Sequence, residues 1–290
     1  MAKPLSAYAG RRLCLTTRHG KQRALARPFA AGLGLQLEVC PCDTDALGTF
    51  SGEIARQSDA LQTCRRKALL GLEATGLVLG LASEASFGPH PAVPMLAVGQ
   101  ELLVFIDRER QLELVEQRLE LRTNYSQITL ESGDDPAPWL AQVGFPSHAV
   151  IARPANQNAA GVGAELLFKG LRSTQELHAA LQRCQGADPQ GKVMLETDMR
   201  AHLNPTRMGS IRRLGFALVR RLCCPCPACG SPGWGLVETV PGLPCSWCGQ
   251  ATNLTASEIW GCPSCGERRP RPRRDGLQAA DPGQCDWCNP

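Results

Sequence analysis

The chain has 290 residues and a mass of 31.2 kDa, room for one large domain or for a medium domain with a small one. Apolar residues make up 43%, charged residues 20%, and the formal net charge is +4, a globular balance that excludes wholesale disorder. The longest apolar runs, Leu77 to Ala82 and Ala92 to Val98, fall far short of the roughly 20 residues that span a bilayer, and Met1 to Ser6 has no apolar signal core, so the chain reads as cytosolic.

Arg12 to Thr17 reads as a short buried strand, and His19-Gly20 turns into a helical stretch that breaks at Pro28. Leu35 to Cys40 is a second strand. Ser58 to Thr75 is a helix with Leu61, Cys64, Ala68 and Leu72 on one face and Gly76 as its stop. Leu77 to Ala82 has strand length, so the order strand, helix, strand, helix, strand predicts an α/β layer fold. Leu102 to Ile106 and Leu112 to Val115, joined by Asp107 to Gln111, form a hairpin that makes the sheet mixed, and Leu119 to Leu130 extends it. A polar break from Glu131 to Pro138 precedes a short helix and a strand from His148 to Arg153, and residues 156–163 are flexible in composition. Ser173-Thr-Gln-Glu176 is a capping box that opens a helix to Gln185, and Lys192 to Leu195 is a strand. Asn204-Pro205 caps a last helix with Met208, Ile211, Leu214 or Gly215, Leu218 and Leu222 on one stripe. The expected architecture is a mixed β-sheet flanked by helices over residues 1–222. A small double zinc-ribbon-like domain over residues 223–290 follows it.

Fifteen cysteines in a chain read as cytosolic are reduced thiols or metal ligands. Cys14, Cys40, Cys42, Cys64 and Cys184 sit on apolar segments and read as small buried hydrophobes. The other ten crowd into residues 223–288, where Cys226/Cys229, Cys245/Cys248, Cys262/Cys265 and Cys285/Cys288 form four Cys-x-x-Cys turns. Such a turn aims two thiolates at one ion about 2.3 Å away. It also needs a residue that tolerates left-handed backbone after the second cysteine, and Gly230, Gly249, Gly266 and Asn289 stand there. Two structural zinc sites of four cysteines follow. Sequential pairing leaves 15 and 19 residues between the inner cysteines, within the usual range, and pairing the first turn with the third and the second with the fourth is the alternative. An iron–sulfur cluster is the competing metal, but its cysteine runs are denser. Cys223 and Cys224 are spares, because Pro227 denies Cys223-x-x-Cys226 the position that Gly230 supplies.

Trp234, Trp247, Trp260 and Trp287 lie in the same tail and are expected to roof its small core, with exposed stacking platforms the alternative. The run Arg268 to Arg274 invites a nucleic-acid reading. Yet residues 223–290 hold five arginines against Glu238, Glu258, Glu267, Asp275, Asp281 and Asp286. Each tetrathiolate zinc adds about −2, so the tail approaches about −5 and is no general polyanion binder. A local contact of the arginine run with RNA, a phosphate or an acidic protein face stays open.

Four polar segments are expected beyond strand carboxyl ends, where ligands sit in open α/β sheets. They are Thr16 to Lys21, Asp43 to Glu53, Ser83 to Pro91 and Glu196 to Arg207. Glu84, Glu196 and Asp198, with Asp43, Asp45 and Glu53 in reserve, are oxygen donors suited to magnesium. Lys21, Arg18, Arg200, His202 and Arg207 suit phosphate oxygens, and Thr17, Ser86, His90 and Asn204 complete the ligand-binding set. Structural roles compete with each: Asn204 caps a helix, Asp43 and Asp45 make turns, and His148 and His178 read as packing or surface residues.

From Thr16 to Pro290 the chain resembles a bacterial family of unknown function that joins an α/β domain to a double zinc-ribbon tail. Thr44-Asp-Ala-Leu-Gly-Thr, Ser86-Phe-Gly-Pro-His-Pro, Glu196-Thr-Asp-Met-Arg-Ala-His, Asn204-Pro-Thr-Arg and Pro244-Cys-Ser-Trp-Cys-Gly carry that resemblance. More distantly, Thr16 to Lys21 and the stretch from Thr63 to Glu84 are similar to the inosine/xanthosine triphosphatase-like pyrophosphatases. Their opening is Thr-x-Asn-x-x-Lys. Arg18 replaces its asparagine, and Ser83-Glu84-Ala85-Ser86 replaces the acidic-Ser-Gly turn.

The functional expectation is a magnesium-dependent hydrolase or transferase acting on a nucleotide or other phosphorylated compound. Lys21 and Arg207 would neutralise phosphate, Glu84 and Asp198 hold metal, and Glu196 or His202 serve as base. The rival is a non-catalytic module that binds a phosphorylated ligand and docks protein or RNA through its zinc tail.

Overall fold

The computed structural model describes residues 7–40, 42, 58–90, 92–156 and 163–290. The chain divides into two compact units, Met1–Glu109 with Val115–Leu218, and Arg110–Leu114 with Val219–Pro290. The expected Asp43 to Glu53 segment lies outside the described residues.

The first unit opens with β1 (Arg12–Thr16), α1 (Gln22–Leu33), β2 (Gln36–Cys40), α2 (Ala60–Thr75), β3 (Leu79–His90), β4 (Val93–Asp107) and β5 (Leu112–Glu120). The five strands form one mixed sheet in the order β2-β1-β3-β4-β5, with β2 and β3 parallel to β1 and β4 antiparallel to β3. Asp59 caps α2 by accepting the Gln62 amide, and Gly76 ends it in left-handed backbone at φ 68°. Cys64, Ala68 and Leu72 bury against Cys14, Ala82, Leu102 and Val104, as the helical spacing requires. Gly71 lets α2 approach β1 closely, since a Cβ there would stand 2.0 Å from Thr16 Oγ1.

Two expectations are corrected here. Pro28 lies inside α1 and does not break it. Leu25, Pro28 and Phe29 are all buried in the core, and this packing outweighs the lost backbone bond. Ser83 to His90 is strand, not a loop beyond a strand end, because β4 pairs with it from Ser83↔Leu103 to His90↔Val93. Its polar residues concealed a strand that backbone pairing maintains.

The chain then builds β6 (Gln127–Leu130), α3 (Ala137–Val143), β7 (Val150–Pro154), β8 (Phe168–Leu171), α4 (Thr174–Ala187), β9 (Val193–Thr197) and α5 (Pro205–Leu222). The strand expected to extend the first sheet instead starts a separate antiparallel one, ordered β6-β9-β7-β8. Trp139, Val143, Leu177 and Cys184 from α3 and α4 cover Val150, Leu171 and Leu195, so the second sheet has its own core. The capping box at Ser173 and Glu176 is formed in full. Ile211, Leu214 and Leu218 of α5 are buried.

The second unit is a three-stranded antiparallel sheet of β10 (Gly235–Pro241), β11 (Thr255–Gly261) and β12 (Arg268–Pro272), with the cysteine turns between and around its strands. The α/β architecture with a mixed sheet flanked by helices, followed by a small cysteine-rich tail, is therefore observed. No helix among the described residues is long and apolar enough to cross a membrane.

Candidate functional site

β1 ends at Thr16, and the chain reaches α1 through a turn in which the Thr17 hydroxyl accepts the His19 amide at 3.2 Å. Lys21 opens α1 fully enclosed, and its Nζ donates to the Ser83 carbonyl of β3 at 2.7 Å. Glu84, next along β3, points to the α2 face, where Lys67 Nζ donates to Oε2 at 2.5 Å. Glu101 lies opposite Ala85 in the β3–β4 register and so faces the other side of the sheet. There Arg207 Nε donates to Glu101 Oε1 at 2.7 Å, and Nη1 donates to the Met199 carbonyl. The Arg207 guanidinium also lies 5.4 Å from the Phe87 ring centroid. All five charged side chains are buried, three cationic and two anionic.

Burial pushes the Lys21 amine down to about 8, the nearby Arg207 adds to this, and Glu84 pulls the other way. Burial also raises the Glu101 carboxyl, against the attraction of Arg207. A buried cation held by a carbonyl rather than a carboxylate is a costly arrangement that an arriving anion would relieve.

Lys21 makes this measurable. Between pH 8 and 10.5 unfolded chains keep the lysine proton while folded chains release it, so unfolding becomes harder as pH rises through that window. Wild-type stability relative to Lys21→Met should climb by about 3 kcal/mol across it, read by urea denaturation at a series of pH values. A flat difference would remove the amine from its buried position.

Beside the cluster, His19 and His202 stack with ring centroids 5.3 Å apart and planes 18° apart. Burial, then Lys21 and His202, hold the His19 imidazole down at about 3, and burial followed by Arg200 lowers His202. Arg200 grips Asp198 with Nε–Oδ1 at 3.0 Å and Nη2–Oδ2 at 2.6 Å, and Asp198 has no exposed surface. Asn204 Oδ1 caps α5 by accepting the Arg207 amide at 2.9 Å, while Nδ2 donates to Asn124 at 2.8 Å.

Lys21 thus lies within electrostatic reach of the Glu84–Lys67 pair on one face of the sheet and of the Arg207–Glu101 pair on the other, and His202, Arg200, Asp198, Thr17 and Asn204 stand around these groups. The remaining expected residues stay outside these buried ion pairs. His90 closes the β3–β4 turn by accepting the Ala92 and Val93 amides, six residues or about 20 Å along β3 from Glu84. Arg18 is exposed. Glu196 accepts Arg153 Nε at 2.9 Å and lines a cavity of about 280 Å³ with Ser86, Phe87, Tyr125 and Met199.

Glu84, Glu196 and Asp198 do not converge as magnesium ligands, because each turns to its own cation: Lys67, Arg153 and Arg200. Among the described residues, the two cysteine sets are the only groups of three or more potential metal donors in mutual reach. Lys67 and Glu101 were missed by the sequence reading. Their signal was a charge in phase with an apolar face: Lys67 between Cys64 and Ala68, and Glu101 two residues from Leu103 and four from Phe105.

In the tail, Cys226, Cys229, Cys262 and Cys265 form one set and Cys245, Cys248, Cys285 and Cys288 the other. The open choice of pairing is resolved in favour of first turn with third and second with fourth. The physical cause is the strand path. β10 runs out and β11 returns beside it with Gly235 opposite Gly261, so the turn before β10 meets the turn after β11. The cross-turn Sγ–Sγ distances are 3.8, 3.7, 3.9 and 3.7 Å. A tetrahedron with 2.3 Å zinc–sulfur bonds has an edge of about 3.8 Å, so both sets fit zinc.

Amides of Ala228, Trp247 and Ser264 donate to the first sulfur of their turns at 3.3 to 3.4 Å. The Ser231 hydroxyl draws the Cys229 thiol down to about 6, and the Cys248 and Trp247 amides draw Cys245 down to about 7, while neighbouring sulfurs of the same sets push Cys265 and Cys288 up to about 12, against the Glu267 amide at Cys265. Gly230, Gly249 and Gly266 adopt the expected left-handed backbone. Asn289 does not, although its amide makes the same bond to Cys285 O at 2.9 Å. It precedes Pro290, which disfavours helical backbone in the residue before it. Cys223 and Cys224 stand outside both sets.

The tryptophans divide. Trp234 is buried with Cys226 and Cys262, and Trp260 packs beside them. Trp247 and Trp287 are 79% and 77% exposed, which corrects the expectation that all four roof the core. The arginine run is engaged within the unit: Arg268 with Glu238, Arg269 with Glu267, Arg273 with Asp275 and Arg274 with Glu258.

No curated protein matches the chain. The model of a domain of unknown function, DUF6671, matches residues 67–290, which takes in Lys67, Glu84, Glu101, Arg207 and both cysteine sets, and the chain belongs to that family.

Proposed function

We propose that the first unit binds the phosphoryl group of a nucleotide or other phosphorylated small molecule at the turn between β1 and α1. The observation that carries this reading is Lys21, a buried ammonium at the start of a helix that donates to the Ser83 carbonyl, with the ion pairs Lys67–Glu84 and Arg207–Glu101 nearby. A helix N-terminus favours an anion, and Lys21 would complete its charge pairing on binding one. His19, His202 and Arg200 add donors on the adjoining turn. The similarity of Thr16 to Lys21 to the opening of the triphosphate pyrophosphatases, with Arg18 in place of their asparagine, bears on the fold more than on the ligand.

Binding is preferred to magnesium-dependent chemistry because Glu84 and Asp198 already hold cations, and among the described residues no carboxylates gather into a shared metal site. Hydrolysis or transfer is the second reading, favoured by the cavity that Glu196 and Ser86 line, where the Glu196 carboxylate also accepts Arg153. Its base would be Glu196 or His202.

A thermal-shift panel of nucleotides and sugar phosphates, with and without magnesium, tests the proposal. A ligand at about a hundredfold its Kd stabilises by about 2.7 kcal/mol, a rise of roughly 5 to 10 °C for a unit of this size. Lys21→Met should abolish the rise. No stabilisation by any member ends the reading, and phosphate release from a stabilising compound decides for turnover over binding alone.

A further inference from the structure

The second cysteine set carries a feature that neither metal binding nor folding uses. Trp247 and Trp287 each precede the last cysteine of their turns, and those two turns close the same set, with Cys248 and Cys285 sulfurs 3.7 Å apart. Both indoles are more than three-quarters exposed on backbone that sulfur and carbonyl bonds hold in place: Trp247 N to Cys245 Sγ, Gly249 N to Cys245 O, and Asn289 N to Cys285 O. Tryptophan is highly buried on average, so two indoles this exposed beside one metal set stand out.

The two segments that carry them hold side-chain charge of one sign. Residues 242–254 and 276–290 contain no lysine, arginine or histidine, while they include Asp281 and Asp286. With a tetrathiolate zinc the lobe carries about −4. That field repels a polyanion and attracts a cation. The same unit already shows the chemistry on its other lobe. Arg271 and Arg274 lie 4.5 and 4.7 Å from the Trp260 ring centroid, and Glu258 accepts both the Trp260 indole N–H and Arg274. On the second lobe the indoles and carboxylates are present and the arginines are absent.

We propose that this lobe is a docking surface for a basic segment of a partner protein, whose arginine or lysine side chains lie on the Trp247 and Trp287 faces and pair with the neighbouring aspartates. Binding does not depend on the ligand assigned to the first unit.

The test uses the full, zinc-loaded chain and fluorescence anisotropy with three labelled probes: a peptide alternating arginine and serine, its glutamate counterpart, and oligouridine. The basic peptide should bind and the other two should not. Replacing both Trp247 and Trp287 by alanine should weaken binding by about tenfold while zinc content is unchanged, and phenylalanine at both should recover part of it. Asp281→Asn with Asp286→Asn should weaken binding and flatten its salt dependence. Equal or tighter binding of oligouridine or the acidic peptide would overturn the proposal. So would failure of the basic peptide to bind, or undiminished affinity in the double tryptophan variant.

Discussion

Serine at both Cys229 and Cys265 will remove one zinc ion from the chain and leave the other bound. The two thiols belong to one set, so the double variant strips a single site to two ligands and leaves Cys245, Cys248, Cys285 and Cys288 intact. Sequential pairing would assign the same two cysteines to different sites and forecast damage to both. Serine at Cys229 and Cys248 reverses the comparison, since the observed sets then lose one ligand each. Zinc per chain, measured by inductively coupled plasma mass spectrometry after dialysis, separates the cases. The structural consequence should be large. A structural zinc contributes on the order of 10–16 kcal/mol to the fold it closes. The first set also anchors Trp234, so its loss should expose that indole to solvent and shift its fluorescence to longer wavelength. Two zinc ions remaining in the Cys229/Cys265 variant would contradict the site itself.

The second large effect is expected at Arg207. Its guanidinium and the Glu101 carboxylate are almost wholly enclosed, so removing one partner strands the other charge away from water. Arg207→Met should cost about 3–5 kcal/mol of unfolding free energy, and Glu101→Leu a similar amount. The double variant should recover most of that loss, because an apolar pair of comparable volume leaves no charge buried. Glu101 also gives the Arg207→Met deficit a sign with pH. Burial already raises this carboxyl, and without the guanidinium it rises further. Folded chains then hold a proton that unfolded chains release above about 4.5, so the deficit is smallest in acid and grows as pH rises. Urea denaturation at pH 4 and pH 8 measures both the size and the slope. Additive losses in the double variant would show that the two groups are not coupled.

The local layers of this protein were legible in its residues. The Gly76 stop, the apolar face of α2, the Ser173 capping box and the stripe of α5 all follow from spacing and turn chemistry within a few residues. The strand from Ser83 to His90 was not, because its residues lack apolar alternation and its hydrogen bonds come from β4. The same applies to the second sheet, whose strands are short and find their partners across long loops.

The charged site divides in the same way. Lys21, Glu84 and Arg207 were recognisable as polar residues in special positions. What each one touches was not: Glu84 meets Lys67 at a separation of 17 residues, and Glu101 meets Arg207 at 106. Ion pairs of that kind depend on which faces of two elements meet, and a carboxylate that looked available for metal is occupied once they do.

Composition and spacing by themselves determined the α/β class, the four cysteine turns with their glycines, and the acidic balance of the tail. These are properties of short segments, governed by backbone sterics and by counting charge. Tertiary structure alone decided which cysteine turns share a metal, which tryptophans face water and which carboxylates already hold a cation. Each depends on where an antiparallel strand returns or which helix covers a sheet face, a long-range arrangement that no local pattern encodes.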